Sequence, residues 1–89
     1  SGGVLCLMPE WGIKALLGSV LPDPGRAHGV PRAELYLMVE QPALFHTRAL
    51  GAGGSELSAL APRSWGHSVA YSLDPDGHVL AFASVSRAA

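Results

Sequence analysis

Asp74-Pro75-Asp76-Gly77 separates two apolar runs, GHSVAYSL (66–73) and HVLAFASV (78–85). That punctuation commits this part of the chain to a β-hairpin. Proline presets φ at the second turn position, and glycine accepts a positive φ at the fourth. A four-residue loop sets Tyr71 opposite Leu80 and Val69 opposite Phe82. One face then carries Val69, Tyr71, Leu73, Leu80 and Phe82, bulky enough to pack on a helix. The other carries Ser68, Ala70, Ser72, Val79, Ala81 and Ala83. Side chains this small leave room for a bound molecule, or for large residues from an opposing layer.

The elements before the hairpin read more locally. GVLCLM (3–8) reads as a strand, PEWG (9–12) as a turn and IKALLGS (13–19) as the returning strand. VLPDPGRAHGVPR (20–32) is a connector, because its prolines suit neither a helix interior nor a central strand. AELYLMVE (33–40) alternates as a strand, with Leu35, Leu37 and Val39 on one face and Glu34, Tyr36 and Met38 on the other. Both faces are partly apolar, so both are expected to be covered. From Gln41 to Gly54 the period changes. Phe45, Ala49 and Ala52 recur at helical spacing beside Leu50, Pro42 suits the first helical position, and Gly53 or Gly54 suits the cap. SELSALAPRS (55–64) reads as a strand that Pro62 confines to an edge or an end.

The 89 residues suffice for one small domain. A domain of this size buries about 60–65% of the surface of its unfolded chain and is marginally stable alone. Charged residues make up 15% of the chain, below the roughly 25% of soluble domains. The deficit points to buried strands, a partner subunit or both. The net charge is -1 and Lys14 is the only lysine. A nucleic-acid partner is therefore not expected, since such binders carry basic patches. No apolar run approaches the ~18–20 residues of a membrane span. The single cysteine, Cys6, sits in the apolar VLCLM and reads as a small hydrophobe rather than a nucleophile. It cannot form a disulfide within the chain, and a reducing, cytoplasmic setting is expected.

The segments LYLMVEQPALFHTRALGAGG (35–54) and WGHSVAYSLDPDGHVLAFA (65–83) resemble the second half of the glyoxalase/bleomycin-resistance/dioxygenase superfamily, the vicinal oxygen chelate proteins. The likeness rests on the break before Pro42, on F-x-x-R-A-L-x-A-G along the helix (45–53), on Trp65-Gly66 and on the D-P-D-G turn. It implies an α+β fold with a complete βαβββ module over 33–86, built on a curved mixed sheet. Residues 1–19 would be the last two strands of a partial first module, and 20–32 the linker. Either the chain is shortened, or a second copy supplies the missing strand and helix. Open sheet edges and apolar faces make a homodimer the expectation.

Enzymes of that superfamily hold a divalent metal through His, Glu or Gln near the start of the first strand and in the last strand of each module. Carried over, those positions are Glu34 and Ala81, and alanine cannot coordinate a metal. The resemblance therefore implies no metal ligands and no cofactor in this chain. His67 and His78 read as polar residues at strand ends, although the Trp65-Gly66 entry could swing His67 to a cavity rim. His46 is expected to face outward on the helix, and His28 lies in the connector. No H-E-x-x-H spacing or nucleophile elbow occurs.

Metal-free members of the superfamily sequester drugs in grooves formed by a dimer. That precedent implies a binder of a small hydrophobic or planar aromatic ligand. Tyr36 and Met38 would form its floor, unless they are simply core. Trp65, His67 and Trp11 would stand at its mouth, with Glu34 placed to pair a cationic group. The alternative is a metal-dependent lyase, isomerase or dioxygenase whose ligands are shared across a dimer.

Overall fold

The computed structural model describes Leu5, residues 8–28, Val30, Pro31 and residues 33–86. The expected strand at 3–8 and Cys6 fall outside the described residues, apart from Leu5 and Met8, which are exposed and belong to no element. The expected returning strand at 13–19 is helical instead. Helix α1 spans Glu10–Leu17, and 3₁₀ turns follow at Gly18–Val20 and Pro24–Ala27. The expected turn at 9–12 is the helix start, where Gly12 and Ile13 N–H donate to the Pro9 carbonyl at 3.0 and 3.1 Å. The physical reason is composition. Ala15, Leu16, Leu17 and Lys14 are strong helix formers, and a short apolar run does not separate strand from helix by period. Glu10 in the first turn and Lys14 in the last also suit the helix dipole. No residue of α1 is buried, and its main contacts are with the two 3₁₀ turns.

Residues 34–85 form the expected βαβββ order: β1 Glu34–Met38, α2 Pro42–Gly51, β2 Ser55–Pro62, β3 His67–Leu73 and β4 Val79–Val85. The sheet order is β1-β4-β3-β2, with β1 parallel to β4 and the other pairs antiparallel. A parallel pair needs a long crossover, which α2, β2 and β3 together supply. The edge strand β2 carries two register irregularities and ends on Pro62, both of which discourage further strand pairing.

The hairpin register differs by one residue from expectation. Leu73 pairs with Val79, Tyr71 with Ala81 and Val69 with Ala83, so the loop is five residues long, 74–78. Asp74 enlarges it: its N–H donates to the His78 carbonyl, and its Oδ1 accepts from the Asp76 and His78 N–H groups, all at 2.9 Å. Gly77 takes φ 91°, the freedom the turn demands. A one-residue slip moves every β4 side chain to the other face. Neither face is then all small. Tyr71 stands beside Ala81, and Phe82 beside Ala70.

Helix α2 covers one face. Ala70, Ser72 and Phe82 are buried there, and the Phe45 and Phe82 rings lie 5.8 Å apart. The helix buries Pro42 and His46, so His46 faces inward, not outward. Its Nε2 lies 3.2 Å from Glu56 Oε2 on β2. An apolar-period reading omits a histidine, whereas a partner on the neighbouring strand lets one in.

On the other face, Val69, Ala81 and Ala83 are fully buried, with Tyr36 and Tyr71 packed against them. The expected small face is therefore shared with tyrosine side chains that pack against the two alanines. Among the described residues, no helix or second sheet packs on this face. The expected cover of both faces of β1 is incomplete among the described residues: Leu35, Tyr36 and Val39 are half-buried, but Leu37 and Met38 are exposed.

Candidate functional site on the open sheet face

Tyr36 on β1 and His67 at the start of β3 point to the same face, on either side of β4. The 63–67 turn brings Trp65 over them. Arg63 N–H donates to the His67 carbonyl at 2.7 Å and Gly66 N–H to the Arg63 carbonyl at 3.3 Å, with Gly66 at φ 90°. Ser86 N–H, at the end of β4, donates to the Gly66 carbonyl at 2.8 Å and ties the turn to the sheet. Trp65 Nε1 then donates to the Tyr36 hydroxyl at 2.9 Å, and that hydroxyl lies 2.7 Å from His67 Nδ1. The Tyr36 and His67 rings are 5.9 Å apart and tilted by 38°. Trp65 remains 54% exposed, so its polar edge is engaged while much of the ring meets solvent.

Two further side chains on this face escaped the sequence reading. Tyr71, expected on the helix side, points here because of the register. Arg63 lies with its guanidinium carbon 5.1 Å from the centre of the Tyr71 ring. Its Nη2 donates to Val69 O at 2.8 Å, Ser58 Oγ at 2.9 Å and Ala59 O at 3.3 Å. Arg63 thereby satisfies backbone that the irregular β2 leaves unpaired. No local signal in APRSWG marks that role, because it depends on where β2 breaks register. The Tyr71 hydroxyl is pushed above the ordinary phenol range by burial first, then by the negative Glu34 carboxylate and, once it ionises, the neighbouring Tyr36 phenol, with Arg63 opposing.

The other expected site residues are more scattered. Glu34 shares the face but is exposed at the start of β1, opposite Val79. Met38, 51% exposed, lies at the far end of β1 in a shallow open hollow with Val39, Glu40, Ser84 and Val85. Trp11 is on α1 and 78% exposed. The structure therefore gathers Tyr36, Trp65 and His67, leaves Glu34 and Met38 at opposite ends of β1, and puts Trp11 on a separate helix.

A divalent metal needs several converging N or O ligands. Among the described residues, no three His, Cys, Asp or Glu side chains gather to hold one. Ala81 occupies the carried-over position beside Tyr36, and His67 Nδ1 is engaged by the Tyr36 hydroxyl. The described side chains of this single chain do not fit a metal centre of the superfamily's type. His46 with Glu56, and His78 with Asp74 at 3.3 Å, are isolated pairs elsewhere.

No protein-family model matches the sequence, and no curated protein matches it. Among solved structures, the chain is similar to a glyoxalase-related enzyme from Fulvimarina pelagi, with a TM-score of 0.67 and 22% identity. The alignment covers 90% of this chain and 64% of that one, so this chain spans less than two thirds of that protein's length. The likeness is one of fold: the chain shares the curved βαβββ architecture of that glyoxalase-related structure.

Proposed function

We propose that this chain binds a small hydrophobic or planar aromatic molecule on the open face of its sheet and retains it without metal chemistry. The observation that carries this reading is Trp65: a largely exposed indole, anchored by its N–H to the Tyr36–His67 pair, on a sheet face that no described element covers. An indole held at its polar edge offers a rigid platform for stacking. Glu34, on the same face, is available to a cationic substituent. The antibiotic-sequestering branch of the superfamily is the functional precedent. A second copy laid over the open face would exclude water and add the missing wall, in keeping with the small core of the single chain.

Titration of tryptophan fluorescence with 9-aminoacridine, a planar aromatic cation, tests the proposal. Saturable quenching is expected in the natural sequence and in Trp11→Phe, and its loss in Trp65→Phe, with the probe recovered unchanged. Quenching that persists without Trp65 would remove the site, and chemical conversion of the probe would remove the sequestration mechanism. Sedimentation should show a dimer; a monomer at every concentration contradicts the second copy.

The alternative, a metal-dependent lyase, isomerase or dioxygenase, draws on the similar fold of a glyoxalase-related enzyme. In a dimer Glu34 would be this chain's available carboxylate. Stoichiometric divalent metal in purified protein, lost on chelation together with an activity, would favour it.

A further inference from the structure

The Trp65–Tyr36–His67 chain has a direction, and the direction decides what the site can hold. An indole N–H only donates, so the Tyr36 oxygen accepts from Trp65. The Tyr36 hydroxyl has one proton to give. Among the described residues, His67 Nδ1 at 2.7 Å is the acceptor that faces it. Leaving a half-buried hydroxyl without an acceptor forfeits hydrogen-bond free energy, so the proton points to Nδ1. The hydrogen bond at one ring nitrogen sets the state of the other. The neutral imidazole therefore carries its hydrogen on Nε2, which has no partner among the described residues and is not enclosed by them.

We infer that His67 Nε2–H is an oriented hydrogen-bond donor that selects ligands bearing an acceptor atom, a carbonyl oxygen being the simplest, beside an aromatic ring stacked on Trp65. This rests on the binding role proposed above and adds the functional group that the ligand must carry. Tyr36 and Trp65 are positioning residues: Trp65 occupies one lone pair of the tyrosine oxygen, and Tyr36 occupies the histidine nitrogen that would otherwise compete as an acceptor. Tyr71 has the same polarity. Its hydroxyl has no partner among the described residues, and burial followed by the Glu34 carboxylate keeps its proton on. The acceptor on this face, Glu34, stands exposed at the start of β1.

The test has a readout without ligand and one with ligand. Nitrogen-15 NMR of the His67 ring, at pH 8 where imidazoles have released their extra proton, should show hydrogen on Nε2 and none on Nδ1. In Tyr36→Phe the two tautomers should mix. Binding is then compared for 2-acetylnaphthalene and 2-isopropenylnaphthalene, which differ in the acceptor oxygen. The ketone should bind roughly fivefold to tenfold tighter, as one net hydrogen bond allows, and Tyr36→Phe should erase most of that preference. Hydrogen on Nδ1 in the natural sequence overturns the inference, whatever the variant does. Equal binding of the two probes overturns it and leaves the binding role standing. Binding of neither overturns both.

Discussion

Removing the Glu56 carboxylate should destabilise the fold through a side chain that Glu56 touches rather than through itself. His46 is 6% exposed under α2, and its Nδ1 is buried with no partner among the described residues. Its one hydrogen bond runs from Nε2 to Glu56 at 3.2 Å. Glu56→Ala leaves both ring nitrogens of a buried imidazole unpaired. Leaving a buried polar group unsatisfied costs about 1–3 kcal/mol. The Glu56 side chain is 48% exposed, so water can reach part of the vacated site, and the lower part of that range is expected, about 1–2 kcal/mol. In urea, with a slope of about 1 kcal/mol per molar for a small domain, the midpoint should fall by roughly 1–2 M. Adding His46→Leu to Glu56→Ala removes the stranded polar group and fills similar volume with apolar atoms, so the double variant should regain most of the loss. An unchanged midpoint in Glu56→Ala, or a double variant no better than the single one, would refute the reasoning.

Phe82→Ala removes the ring that packs against Phe45 beneath α2 and should cost about 3–5 kcal/mol, read as loss of a cooperative melting transition. Glu34→Gln should weaken 9-aminoacridine and leave the neutral 2-acetylnaphthalene nearly unchanged; equal weakening by calorimetry would make Glu34 structural. Tyr71 supplies a pH dependence. Its folded value lies above the unfolded phenol's, so the folded state holds the proton longer and stability falls as pH rises past about 10. Tyrosinate absorbance should show one late-titrating group that Tyr71→Phe removes, along with part of the alkaline destabilisation.

Much of the βαβββ module was legible because its signals are local. Pro42 starts α2, Pro62 ends β2, and Asp74-Pro75-Asp76-Gly77 turns the hairpin, each through a backbone restriction that acts wherever the residue stands. The helix at residues 10–17 was not legible because a short apolar run fits either a helix or a strand when nothing buries it, and α1 buries nothing. The strand pairing is shifted by a single residue, His78, whose N–H the Asp74 carboxylate draws into the loop, so that Val69 and Tyr71 share a face with Ala81 and Ala83 while Phe82 stays under α2.

The sequence alone determined that the last two strands pair, that a helix begins at Pro42, and that alanine stands at position 81 on the last strand. Those outcomes depend on dihedral restrictions and residue identity. Only the tertiary structure decided that Trp65, Tyr36 and His67 join in one hydrogen-bonded chain, that Arg63 lies against Tyr71, and that His46 turns inward to Glu56. Each of those contacts joins groups on different elements, and their meeting is set by strand order and register, which no local sequence pattern encodes.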